Sequence, residues 1–227
     1  MAKKFTIAID GPVGVGKGTL AVGLAKKFGA LYVNTGAMYR ALTFLCLRKK
    51  INIKNEEEVL RNLKNSTIEL EIDSNNNQKI FLNGEDVSRE IFLPEVTNTV
   101  ALISPFPSVR KEMVRRQREL LDKADKVVME GRDITTEVVP NANLKIFLTA
   151  DLDVRVRRRL RQLIKNGIDS TFKEVLKETE ERDRRDTIRR ASPLTITESA
   201  YVLNTTDLSI EETVDKVVEK MKGRGIA

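Results

Sequence analysis

Residues 11–19 read Gly-Pro-Val-Gly-Val-Gly-Lys-Gly-Thr. Gly11, Gly16 and Lys17 stand at the spacing of a phosphate cradle. In such a cradle, glycines let successive main-chain N–H groups converge on one anion, and a lysine reaches its outer oxygens. Gly11, Pro12, Val13, Gly14, Val15, Gly16, Lys17, Gly18 and Thr19 are therefore candidate contacts to the phosphates of a nucleotide. Lys17 is also a candidate catalytic cation, able to follow the charge that develops as a phosphoryl group moves. The Ser or Thr that usually follows the lysine is replaced by Gly18, and Thr19 comes one place later. Mg²⁺ is then expected to be held mainly by nucleotide oxygens and water, because it gives up its hydration reluctantly. Thr19 becomes a phosphate contact.

The rest of the inventory narrows the chemistry. Histidine is absent from all 227 residues, which removes histidine-based acid–base catalysis, histidine triads and most zinc sites. What remains is arginine, lysine, carboxylates, hydroxyls and main-chain amides. Forty Lys and Arg stand against 33 Asp and Glu, and a basic surface of this kind suits either nucleic acid or a small, highly anionic ligand. Aromatic residues make up only 5%, with no zinc pattern and no aromatic strand on which bases could stack, so the nucleic-acid reading is the weaker one. Asp-x-x-Gly and Asn-Lys-x-Asp are also missing, against a guanine-nucleotide switch. A single cysteine, Cys46, lies in an apolar stretch, which predicts a buried thiol in a reducing cytoplasm. No apolar run approaches the ~18–20 residues that would span a bilayer.

Elements must hold the cradle in place. Phe5–Asp10 is a short apolar run that stops at glycine, and 18–28 has Leu20, Leu24 and Ala25 at helical spacing, so the cradle joins a strand to a helix. Further strands are expected at 31–33, 126–129, 144–148 and 201–203. Helices are expected at 36–49, 56–65, 95–103, 109–123 and 209–222, and a long charged helical stretch at 151–191 broken near Gly167. Residues 67–72 and 79–82 flank a polar turn that includes the 75–77 asparagine run, and Asn83-Gly84 follows, so this stretch is a small antiparallel excursion. Short apolar strands alternating with helices predict an α/β fold: a three-layer P-loop arrangement, its parallel sheet flanked by helices.

Beyond the cradle, the ordered set of motifs resembles bacterial CMP kinases. The set is Gly-Lys-Gly-Thr, then Asn34-Thr35-Gly36-Ala37-Met38-Tyr39-Arg40, Phe81-Leu82-Asn83-Gly84-Glu85-Asp86-Val87, Pro107-Ser108-Val109-Arg110, Gly131-Arg132-Asp133, and Glu181-Arg182-Asp183-Arg184-Arg185-Asp186 with Arg189. The resemblance runs from Ile7 to Lys222. It implies a P-loop core at 1–34, 92–154 and 192–227, a CMP-binding region with a β-rich insert at 35–91, and a helical lid at 155–191. It implies that Arg40, Arg132 and Arg189 hold the monophosphate, with Arg132 and Arg189 also catalytic. Arg110 and Asp133 would face the cytosine, Arg182 and Asp186 the ribose, and Thr35 would complete the CMP site. Arg158 and Arg159, with Arg155 before them, would begin the lid that closes over ATP. Three positions depart from the family pattern: Ala101 for a serine near the base, Thr135 for a glycine, and Asn34 for the commoner aspartate.

The chemistry agrees with these roles. A phosphate dianion needs no base to become a nucleophile, so catalysis reduces to screening charge, aligning two nucleotides and excluding water. An aspartate accepts from the N4 amino group of cytosine and repels the oxygen that uracil has there. Glu130 has two readings, a partner of Mg²⁺-bound water or of a nearby lysine. Tyr39 reads as packing. The expected reaction is transfer of the γ-phosphoryl group of ATP to CMP or dCMP by a monomer, with Mg²⁺ and without nucleic acid or membrane partners. A kinase for UMP, AMP or GMP, and a basic nucleotide- or nucleic-acid-binding protein, are the alternatives.

Overall fold

The computed structural model describes residues 4–72, 78–165 and 167–226; the expected turn at 75–77 lies outside them. Strands β1 (Phe5–Asp10), β2 (Leu31–Asn34), β6 (Lys126–Glu130), β7 (Leu144–Thr149) and β8 (Tyr201–Asn204) form one parallel sheet in the order β2-β6-β1-β7-β8. The first strand shows why both faces are covered. Ile7 and Ile9 pack into one cluster with Leu20, Leu24 and Val217, while Ala8 faces another with Met38, Leu42 and Met113. Each fully buried aliphatic side chain of this kind contributes about 1.5–3 kcal/mol. Helices α1 (Lys17–Phe28) and α8 (Ile210–Gly223) cover the first face; α2 (Thr35–Arg48), α3 (Glu56–Lys64), α4 (Pro94–Ile103) and α5 (Pro107–Glu119) build the second.

A second, antiparallel sheet joins β3 (Ile68–Ile72), β4 (Gln78–Leu82) and β5 (Glu85–Asp86). The last strand was not expected. Asn83 and Gly84 both adopt left-handed backbone (φ 52° and 82°), the requirement of a two-residue hairpin turn. Ile80, Leu82 and Val87 share the core of α2 and α3, so the insert is fixed to the body. Helices α6 (Leu152–Lys165) and α7 (Phe172–Ile188) form a charged pair with a small core of their own, Val156, Leu163 and Val175. Thr171 starts α7 with a capping box to Glu174. Among the described residues no helix is long and apolar enough to cross a membrane.

The expected helix at 109–123 is shortened: it begins at Pro107, ends at Glu119 and continues only as a tight turn at Leu121–Lys123. Ile134–Val138 forms one turn of π-helix, which had no signal in the local sequence. Its cause lies in β1. The buried Asp10 carboxylate accepts from Ile134 N at 3.0 Å, Thr135 N at 2.7 Å and Thr135 Oγ1 at 2.7 Å. Burial raises the Asp10 pKa even though these donors pull the other way.

Candidate active site

Every strand of the main sheet delivers its carboxyl end to the same edge, where ligands of parallel α/β sheets bind. After β1 comes the glycine-rich loop, and its first turn has no room for a side chain. Gly11 has φ +147°, and a Cβ there would lie 2.4 Å from the main-chain oxygen of Leu148. The loop ends on Gly16, also left-handed, and α1 begins at Lys17. The first N–H groups of that helix therefore have no partner within it and face the cleft with the positive end of the helix dipole.

Lys17 folds back along the loop. Its Nζ donates to the main-chain oxygens of Gly11 and Pro12, each at 2.8 Å. Burial and the charge of Arg132 pull its pKa down to about 7, against Glu130, Asp10 and Asp186, which raise it. Gly11 and Pro12 are thus the root that holds the lysine; they do not line the cleft, whereas Val13, Gly14, Val15, Gly16, Lys17, Gly18 and Thr19 do. The absence of Ser or Thr at Gly18 has a steric context. A Cβ on Gly18 would sit 3.4 Å from the Tyr32 hydroxyl and 3.6 Å from Glu130 Oε1. The space that the usual hydroxyl would fill is bordered by this carboxylate. Glu130 accepts from Tyr32 Oη at 3.4 Å and forms no ion pair among the described residues, so the lysine-partner reading rests on charge attraction to Lys17 alone.

The opposite end of the cleft is built from arginines. Arg40, on α2, donates from Nη1 to Thr97 Oγ1 at 2.8 Å and to the Ile91 oxygen at 3.2 Å, over the face of Phe92. Arg132 follows β6, and its Nε donates to Asp186 Oδ2 at 2.7 Å. Arg189 caps the end of α7, with its Nη1 3.7 Å from Asp186 Oδ1. Asp186 is held below its usual range by Arg132, Arg182 and Arg189 although burial opposes this. In this state it ties the arginines to one another. Arg182 lines the same wall, its pKa lowered to about 10 by burial and then by Arg132. Arg40 is lowered to about 9 by burial and by Arg182, Arg159 and Arg132. Burial is the first cause of lowering at Arg40 and Arg182 and the neighbouring cations add to it, whereas Asp186 and Glu130 raise Arg132; a wall so rich in cations suits a dianion.

Arg110 and Asp133 form a buried ion pair beside this cluster. Arg110 Nη1 also donates to the Ser104 oxygen at 2.9 Å, and its guanidinium lies over the Tyr39 ring. Arg110 Nε, Arg189 Nη2 and the Tyr39 hydroxyl are buried and have no hydrogen-bond partner among the described residues. Tyr39 packs in the core, as expected, and also lines the cleft. Thr35 lines the cleft too, with its hydroxyl donating to the Glu130 oxygen at 2.9 Å.

Both ends open into one cleft of about 1630 Å³. Arg158 and Arg159 line it; Arg158 donates to Thr205 Oγ1 and its main-chain oxygen, and Arg159 to Gln162. Arg155 does not line it. Sequence reasoning missed the wall formed by Thr205, Thr206, Leu208, Ser209 and Ile210. The available signal was position: this stretch follows the carboxyl end of a sheet strand, as the glycine-rich loop and the turn at residues 131–133 do. No cluster of three or more carboxylates, histidines or cysteines suited to a metal occurs among the described residues.

A family model described as Cytidylate kinase matches residues 7–223. The cytidylate kinase of Bacillus cereus is 45% identical over 223 residues, covering 98% of each chain. That of Bacillus anthracis is 46% identical over 218 residues, covering 96% of each. Among solved structures, shikimate kinase from Acinetobacter baumannii superposes with a TM-score of 0.50 at 14% identity, covering 100% of this chain and 97% of that one. An uncharacterized protein from Eubacterium ventriosum gives 0.50 at 15%, covering 97% and 99%. At these identities the solved structures speak to the fold alone.

Proposed function

Since the chain belongs to the cytidylate kinase family, we propose that its cleft transfers the γ-phosphoryl group of ATP to CMP, and to dCMP, giving ADP and the diphosphate. The observation that carries this reading is the pairing, in one cleft, of a lysine-bearing amide loop with a wall of mutually repelling arginines. Two polyanions fit end to end between them. ATP takes the loop, from Val13 to Thr19, with Lys17 leaving its two carbonyl partners to meet the phosphates. Arg158 and Arg159 take the side nearest residues 205–210. The phosphate of the monophosphate takes Arg40, Arg132 and Arg189.

Arg110 and Asp133 supply the base contacts, with Thr35 beside them. Asp133 accepts from the N4 amino group of cytosine, and Arg110, already over Tyr39, donates to its ring acceptors. Arg182 and Asp186 serve the ribose once the anion has taken over Arg132. The nucleophile is already ionised, so the protein's work is alignment and charge screening, in keeping with the absence of histidine. The residues fit a divalent cation that arrives with the nucleotide: the Glu130 carboxylate lies beside Gly18, and among the described residues no cluster of three or more carboxylates, histidines or cysteines would hold the ion by itself. Mg²⁺ bound there would neutralise charge on the β- and γ-phosphates. One chain builds both ends of the cleft, which accords with a monomer. The single thiol, Cys46, is buried and free, which accords with a reducing cytoplasm.

The test is ADP release measured across CMP, dCMP, UMP, AMP and GMP. CMP is expected to be the best acceptor with dCMP close to it, Lys17→Met inactive with all, and Asp133→Ala to lose CMP turnover while keeping ATP binding. Turnover of another monophosphate with CMP inert would refute the substrate assignment.

A further inference from the structure

Asp183 and Arg155 lie next to the cleft but do not line it. Asp183, on α7, reaches 170 positions back along the chain to the crest of the glycine-rich loop, where its Oδ1 accepts from Val13 N at 3.2 Å. Its Oδ2 accepts from Arg155 Nη1 at 2.5 Å. Arg155, near the start of α6, also donates from Nη1 to the Val13 oxygen at 3.1 Å and from Nε to the Ala150 oxygen at 3.1 Å. The loop is pressed onto this arginine: a Cβ on Gly14 would lie 2.9 Å from the Arg155 main-chain oxygen and 3.0 Å from its Cβ. Both main-chain groups of Val13 are thus held from outside the cleft by one ion pair that bridges the two lid helices.

We propose that Asp183 and Arg155 are positioning residues, a clip that sets the crest of the phosphate loop against the lid, and that neither contacts nucleotide. Three features support this. The Val13 N–H is directed at a carboxylate, so the anion cradle is formed by the amides that follow it. The Arg155 guanidinium is engaged by two carbonyls and a carboxylate and is buried, unlike Arg158 and Arg159, which border the cleft. The clip also links the loop to α7, the helix that carries Arg182, Asp186 and, at its end, Arg189. The inference rests on the reading of residues 11–19 as the ATP cradle.

The experiment measures ATP affinity by calorimetry, with kcat and the KM for CMP, in Asp183→Ala, Asp183→Asn, Arg155→Ala and the Asp183→Ala/Arg155→Ala pair. Each alanine variant is expected to weaken ATP binding by about tenfold and leave the KM for CMP within about twofold, as for loss of a hydrogen bond to a charged group confined to one end of the site. Asp183→Asn keeps an acceptor for Val13 N–H and is expected to fall between wild type and alanine; it also serves if the alanine variant does not fold. The double variant is expected to be no worse than the poorer single one, since the two side chains act as a unit. Additive losses would mean that Arg155 meets ATP independently, and tighter ATP binding in Asp183→Ala would mean that the carboxylate competes with phosphate. Either result, or unchanged affinity in both Asp183 variants, overturns the clip. If instead Lys17→Met binds ATP as tightly as wild type, the cradle reading itself fails, and the clip with it.

Discussion

Lys17 shows how a single residue can be prepared for a ligand. Burial and Arg132 hold its pKa near 7, well below the ordinary 10.5. The unfolded chain keeps that proton up to about 10.5, so between those values it binds more protons than the native protein. The energetic cost of burying this ammonium is therefore felt in full below pH 7 and relieved as pH rises toward 10.5. Triphosphate bound as proposed would reverse the balance, because anionic oxygens favour the charged form. At pH 8, ATP binding is expected to draw in close to one proton, seen as a dependence of the binding heat on the ionisation enthalpy of the buffer. Lys17→Met should abolish that dependence; identical proton uptake in both proteins would refute the assignment.

Among the elements, the turn after β6 carries Arg132 and Asp133, the proposed contacts to the acceptor. Gly131 joins the strand to Arg132 and Asp133, and a Cβ there would lie 2.5 Å from Thr35 Oγ1 and 2.7 Å from Ile134 Cδ1. Thr35 is itself fastened to the Glu130 oxygen, and Ile134 begins the π-turn that Asp10 caps, so neither neighbour can move freely. Gly131→Ala is expected to shift Arg132 and Asp133 together. A misplacement of about 1 Å at a reacting group lowers rate by about 100-fold, so kcat/KM for CMP should fall at least tenfold while ATP affinity is kept. Equal loss at both substrates would point to a general folding defect instead.

The whole molecule carries a formal charge of +7, and nine of its arginines line the cleft. Such a field attracts anionic substrates over several ångströms and is screened by salt, with a Debye length of about 10 Å at 0.1 M and about 3 Å at 1 M. Raising ionic strength from about 0.05 to about 0.5 M is expected to increase the KM for CMP several-fold and to change kcat little, since charges within the closed cleft are screened far less. A KM insensitive to salt would show that close contacts alone govern capture. Nucleic-acid binding that weakened steeply over the same range would favour the alternative reading of the basic charge.

Much of this was legible in the chain itself. The strand–loop–helix around residues 11–19 is local: glycine spacing, apolar runs and a lysine suffice to specify it, because the turn needs left-handed backbone that glycine adopts freely. The parallel sheet was legible for the same reason, as short apolar strands alternate with helices whose apolar positions repeat at the helical period. The tertiary structure alone decided which charges meet. The π-turn at Ile134–Val138 depends on a carboxylate more than a hundred residues away, and the Val13 clip on another at residue 183. No pattern along the chain marks Arg155 as buried and engaged while Arg158 and Arg159 border the cleft. Hydrophobic periodicity is a one-dimensional property and survives in a sequence, whereas an ion pair exists only where folding has brought two distant side chains within hydrogen-bonding distance.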